Sequence, residues 1–527
     1  MSPLAISLLV LLFVALLLVV AVQAEKTTAL ALRLSRSPLT YALSLAVYCT
    51  SWTYYGSVGR AATSGLSFLA IYIGPTITVC LWWILLRRMV QLKERYRITS
   101  IADFISARFG KSQAVAALVT AIAIVGNMPY IALQLKSIKD AFSLVIEPGA
   151  PAGTWLIDQF GPVIVVVMTL FAIVFGARRL DPTERHRGMI AVVALESLVK
   201  LLAFLACGIY VTFFLANGFS DLLGSQAADN YEIARVFSIG GEGAYVEWMT
   251  LLVLSMAAII CLPRQFHVAV VENPSERAIL PAMWLFPLYM VLINIFVIPI
   301  AVYGIRSGIP VTQADTYVLR IPLQHGDTWI AVLVFIGGFS AATGMIMIAA
   351  MTMSTMVVNH LLLPLFSAVS FLAPMRRQLL RWRWAGITAV LSLGYWFETK
   401  LGDSYALVNM GLISFAAAAQ FAPAVVGALC WPKGSRAGAL AGLAGGFGLW
   451  LYTLLLPAFS RSGWLDPSFL DNGPWGIGLL RPEHLYGMTT LSPLSHSVFW
   501  SLLCNAGLFV LVSILWQRSQ EEERLAQ

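Results

Sequence analysis

The chain is poor in charge. Of its 527 residues only 11% are Asp, Glu, Lys or Arg, while 59% are hydrophobic. A soluble domain carries about 25% charged residues. With a mean hydropathy of +0.80, this chain cannot cover a water-facing surface, so its solvent is largely lipid. Chemistry is scarce as well. There is no phosphate-cradling GxxxxGK[ST], no HExxH and no CxxC, so no catalytic residue, metal site or cofactor is expected. Six cysteines (Cys49, Cys80, Cys207, Cys261, Cys430 and Cys504) show no paired spacing, so they indicate neither a disulfide framework nor a zinc site. The net charge of +8 lies in short loops between apolar runs and does not signal nucleic acid.

What is present is a series of apolar runs. Thirteen spanning candidates lie near 3–23, 38–59, 66–86, 113–142, 161–178, 188–215, 247–270, 278–303, 328–358, 382–397, 404–430, 436–457 and 494–516, each close to the ~20 residues a bilayer needs. The first run has no preceding Lys or Arg and is long for a signal peptide, so it reads as a retained helix. Basic clusters at Arg87–Lys111, Arg178–Arg187 and Arg376–Arg383 fall on one side when the spans alternate. The positive-inside rule then places the N-terminus outside and the C-terminus inside a cytoplasmic (inner) membrane. The expected outer loops 216–246 and 458–493 are poorer in positives and suit short surface helices. The last stretch, WQRSQEEERLAQ, reads as the start of a cytosolic helix.

Polar groups inside such spans cost roughly 2.5–3.5 kcal/mol per charge at the helix centre, so each needs a partner, a cavity or a function. Four stretches stand out. In SLAVYCTSWTYYGSVG, Thr50, Ser51 and Trp52 interrupt the second span; the options are helix packing with an aromatic belt, or an unwound segment that binds. In IICLPRQFH, Pro263 removes an amide donor, and Arg264 and Gln265 offer donors suited to a carboxylate. Arg264 either faces a cavity or snorkels to headgroups. The Gly- and Ala-rich stretch around Ser340, Thr343 and Gly344 allows close helix approach, with Met345, Met347, Met351, Met353 and Met356 as adaptable packing. Finally, Glu196 and Lys200 are four apart on one helix, as an ion pair or as a proton-handling carboxylate with a cation beside it.

Together ITSIADFISARFG (98–110), PYIALQLKSI (129–138), CLPRQFH (261–267) and KGSRAGALAGLAGGFGLW (433–450) resemble the sodium/solute symporter family. The likeness is greatest to the transporter-like module of CbrA-type sensor histidine kinases. The resemblance implies an all-α membrane fold with a LeuT-type inverted five-helix repeat. The extra helix would be 1–37, the repeats 38–215 and 247–430 separated by the outer loop 216–246, and the C-terminal helices 431–527. It implies broken helices near Thr50–Trp52 and Pro263, because five helices per repeat invert the second copy. It assigns solute contacts to Thr50, Ser51, Trp52, Tyr130 and Pro263, to which physical reasoning adds Gln134 and Arg264. The equivalent ion shell is Ala46, Tyr48, Cys49, Ser340, Thr343 and Gly344. There Tyr48 stands in place of an acid and Gly344 in place of a hydroxyl. Two hard oxygen ligands are thus missing, leaving backbone carbonyls for sodium; a proton carried by Glu196 is the alternative. The implied function is binding and transport of a small polar solute, an amino acid or histidine in particular, reported to cytosolic signalling domains of a two-component system. A stand-alone symporter and a non-transporting sensor are the alternatives.

Overall fold

The structure is a computed structural model. It describes residues 2–26, 28–35, 37–146, 151–176, 186–224, 231–241, 243–401, 407–516 and 518–526. Arg178, Arg179 and Arg185 of the second basic cluster lie outside them, as does part of the 216–246 loop.

The described part of every expected span falls on a helix or on a broken pair of helices. In chain order they begin with α1 (Pro3–Glu25), the pair α2 (Pro38–Leu45) and α3 (Ser57–Ser64), and α4 (Ala70–Cys80). A short helix, α5 (Ile101–Arg108), precedes the long α6 (Gln113–Val145), then α7 (Pro151–Gly176) and α8 (Arg187–Ile209). The second half holds α9 (Ala244–Cys261), α10 (Pro263–Phe266), α11 (Ile279–Asn294), α12 (Val297–Arg306), α13 (Thr328–Val357) and α14 (Leu379–Leu401). It closes with α15 (Leu407–Ala419), α16 (Ala422–Cys430), α17 (Arg436–Trp450), α18 (Pro493–Leu515) and a charged terminal helix, α19 (Gln520–Ala526). Among the described residues, ten helical segments are long and apolar enough to cross a bilayer, and Pro38–Tyr48 and Gln159–Val174 are shorter apolar helices. The 458–493 loop carries the expected short helix, Ser468–Asn472.

Burial sorts the helices. α13 is enclosed, packing on α6, α7, α8 and α14. α1 lies at the rim, where Leu4, Leu8 and Leu12 are exposed and in a membrane would meet lipid. Small residues set the spacing at the centre. A Cβ at Gly337 would stand 2.5 Å from the Tyr54 hydroxyl, so the Gly-rich stretch of α13 serves close approach. Its methionines are buried packing. The turn between α3 and α4 also needs glycine: Gly65 has φ +58° and lies against the Arg235 and Ser238 carbonyls.

Two helices are broken partway along. α2 passes through a 3-10 turn at Ala46–Tyr48 and ends at Cys49, which is extended (φ −78°, ψ 94°). The chain resumes as a π-helix over Trp52–Gly56 before α3. The unwound point is thus Cys49–Thr50, slightly ahead of the expected Thr50–Trp52. α9 ends at Leu262, also extended (φ −62°, ψ 127°), and Pro263 starts α10. Proline suits the first helical position because its missing N–H would be unpaired there. A π-helix, His267–Val271, follows this break too. Both breaks therefore carry the same local pattern, an extended residue followed by a π-helix.

Candidate functional site

The two breaks meet. Gln265 Nε2 donates to the Leu45 carbonyl at 3.1 Å, and Tyr41 Oη donates to the Ala269 carbonyl at 2.7 Å. These bonds use carbonyls that π-helical or unwound backbone leaves available.

Around this junction the structure gathers most of the expected solute residues. Thr50 Oγ1 lies 2.9 Å from the Tyr130 hydroxyl, and its oxygen also accepts from the Trp52 amide at 3.3 Å. Ser51 donates to Gln134 Oε1 from its hydroxyl at 2.8 Å and from its amide at 3.2 Å. α6 thus fixes the unwound segment through Tyr130 and Gln134. Phe415 of α15 stacks on Tyr130 with centroids 5.7 Å apart and planes 11° apart. Trp52 is nearly buried beside Tyr72, and a Cβ at Gly411 would stand 2.8 Å from its ring. Sequence reasoning missed Phe415 and Gly411, which lie about 280 residues from α6 with no local polar signal.

Arg264 faces inward. It is 1% exposed, with its guanidinium carbon 4.2 Å from the Tyr130 ring centre. This geometry discards the snorkelling alternative. Among the described residues none accepts a hydrogen bond from its three side-chain nitrogens with good geometry. A buried guanidinium without acceptors is costly, and the ring face offsets only part of that cost.

The ion-shell positions form a second cluster. Lys200 Nζ donates to the Ala46 carbonyl at 2.7 Å and to the Cys49 carbonyl at 2.5 Å. Ser340 Oγ donates to the Glu196 carbonyl at 2.8 Å, and Thr343 Oγ1 donates to Glu196 Oε1 at 2.6 Å. Gly344 leaves room for Glu196: a Cβ there would stand 2.5 Å from Oε2. Oε2 itself has no hydrogen-bond partner among the described residues. Tyr48 turns away and donates to the Ile71 carbonyl at 3.0 Å. The ion pair expected between Glu196 and Lys200 is not formed, because each side chain meets a different helix: Glu196 meets α13, and Lys200 meets the end of α2. The spacing of four along one helix permits a pair, but packing brings the ammonium onto the carbonyls freed by unwinding instead.

Comparison with known proteins bears on the fold. A model of the sodium:solute symporter family matches residues 30–138, which include the first break and Tyr130. No curated protein sequence matches the chain. Among solved structures the chain is similar to a Na+-coupled sialic acid symporter in a substrate-bound, outward-open state, with TM-score 0.66 and 13% identity over 97% of both chains. Also similar are a nucleobase-cation-symport-1 family transporter in a closed conformation with bromovinylhydantoin bound (TM-score 0.45, 16% identity, 93% of this chain and 95% of that one), and an Eremococcus coleocola manganese transporter (TM-score 0.48, 14% identity, 95% and 97%). The fold is all-α and of the LeuT type.

Proposed function

We propose that this chain binds and transports a small solute bearing a carboxylate, an amino acid being the favoured class and histidine the first candidate. The observation that carries the reading is Arg264, buried at the junction of two broken helices with no well-placed acceptor for its nitrogens among the described residues. A planar guanidinium takes a carboxylate in two parallel bonds. Charge points the same way. Arg264 and Lys200 are cationic side chains in this centre and Glu196 is the acid, so an anionic group balances the set. Thr50, Ser51, Trp52, Tyr130 and Gln134 would line the rest of the site, with Pro263 opening the half-helix that carries Arg264.

Transport of this kind fits repeats at 38–215 and 247–430 that rock about the breaks, in an inner membrane with the N-terminus outside. Coupling by sodium is disfavoured by Lys200, whose ammonium already lies on the Ala46 and Cys49 carbonyls. A proton, with Glu196 as carrier, takes that part. The resemblance to CbrA-type modules supports a report to a cytosolic histidine kinase.

The test is calorimetric titration of the purified chain with the twenty amino acids and with their amides. Binding of at least one amino acid, loss with its amide, and loss in Arg264→Ala support the reading. Equal binding of acid and amide, or normal binding by Arg264→Ala, overturns it. Solute-dependent autophosphorylation of a kinase supplied with the chain would test the signalling role, and no response would remove it.

A further inference from the structure

Away from the solute site, a mixed cluster of ligating groups joins two chain segments beside the half-helix that carries Arg264. His186 Nδ1 lies 2.8 Å from Glu272 Oε1, and His267 Nε2 lies 3.3 Å from the same oxygen. One ligand atom from each of the three side chains lies within 4.8 Å of the others. His267 and Glu272 are 3% and 5% exposed. The backbone amide of His186 donates to both carboxylate oxygens, at 3.3 and 3.2 Å. The π-helix His267–Val271 packs on the helix Leu85–Tyr96, so this is the basic end of the molecule.

We propose that His186, His267 and Glu272 form a zinc site that clasps the half-helix Pro263–Val271 to the chain entering α8. Two imidazoles and one carboxylate are a ligand set zinc accepts, with a fourth position left for water. Zinc bonds of about 2.0–2.2 Å place neighbouring tetrahedral ligand atoms about 3.3 Å apart. The His267–Glu272 separation already has that value, and the His186–Glu272 hydrogen bond would open by about half an ångström. The His186 amide bonds orient the carboxylate, as outer partners do in zinc sites. His267 comes from the half-helix and His186 from the segment leading into α8. A bound ion therefore resists separation of these two segments, the movement that would open this end. The spacing of His267 and Glu272 is five residues, and the π-helix between them brings both side chains to one face.

The experiment is titration of the full, metal-stripped chain with Zn2+ by calorimetry, and with Co2+ by visible absorption. One equivalent of zinc and the intense d–d bands of four-coordinate cobalt are expected. His186→Ala and His267→Ala should each weaken binding about tenfold or more and remove those bands, while His325→Ala, at an exposed histidine, should change neither. No stoichiometric zinc, octahedral cobalt spectra in the unmodified chain, or identical binding by the His186 and His267 variants would overturn the site and leave a histidine–carboxylate hydrogen-bond clasp. The cobalt spectrum of the unmodified chain decides the matter even if a variant fails to fold. Amino-acid titration of the same sample is read separately, so the solute site and the zinc site stand or fall independently.

Discussion

The ammonium of Lys200 lies 2.5 Å from the carbonyl oxygen of Cys49, at the point where the first broken helix unwinds. A helix end exposes carbonyls with partial negative charge. In this protein a cation built into the chain meets them, where the family resemblance puts a diffusible one.

Sodium independence follows. Solute uptake into proteoliposomes is expected to be unchanged when potassium or choline replaces sodium. Lys200→Ala leaves the Ala46 and Cys49 carbonyls without their donor, an effect on the order of 1–3 kcal/mol for each orphaned group, so melting temperature should fall. Uptake that rises with sodium concentration would show that an ion enters despite Lys200.

Glu196→Gln is expected to separate binding from coupling. Glu196→Gln keeps an oxygen to accept from Thr343 but removes the titrating group. A proton moving along the membrane potential supplies about 2.3 kcal/mol per 100 mV. The variant should therefore bind solute normally yet lose accumulation, as should the unmodified protein treated with a protonophore. Normal accumulation by Glu196→Gln would make the carboxylate a structural acceptor for Thr343.

Trp52 and Gly411 test the aromatic wall. Trp52→Ala is expected to weaken solute binding about tenfold, or roughly 1.4 kcal/mol. Gly411→Ala should weaken it as well, because the added Cβ would stand 2.8 Å from the Trp52 ring. Calorimetry showing native affinity in both variants would place the solute elsewhere.

Asp103 tests its clasp with His360. It pairs with His360 Nε2 at 3.2 Å and accepts from the Thr99 amide at 3.0 Å. Burial alone would raise its pKa, but the hydrogen bond and charge of His360, with the Thr99 donors, bring it below the ordinary value. A depressed carboxylate contributes stability above its unfolded pKa, and that contribution fades as pH falls through the folded one. Asp103→Asn should lower the melting temperature at neutral pH by more than it does in acid. Equal loss at both would mean the charge contributes nothing.

Orientation is tested by labelling. With Cys80 and Cys430 replaced by Ser, a membrane-impermeant maleimide added outside should modify Thr490→Cys and spare Lys433→Cys. The opposite result would invert the topology.

The sequence by itself determined the membrane class and the run of apolar helices, and it marked Thr50–Trp52 and Pro263 as the interruptions that the family resemblance turned into breaks. Each rests on a local signal: apolar runs of bilayer length, and Pro263 or a hydroxylated cluster inside such a run. It also named Arg264 and Gln134, because a polar side chain in an apolar helix is conspicuous wherever it ends up, while Tyr130 came from the family resemblance. Partners were another matter. The spacing of Glu196 and Lys200 suggests a pair, and only packing sends one to Thr343 and the other to the unwound end of α2. Whether Arg264 faced lipid headgroups or Tyr130 depended on how the two broken helices cross. Phe415, Gly411 and the His186–Glu272 contact join segments far apart in the chain. No periodicity reports such distances. They are set by helix packing, which brings distant residues together once small side chains let the backbones approach.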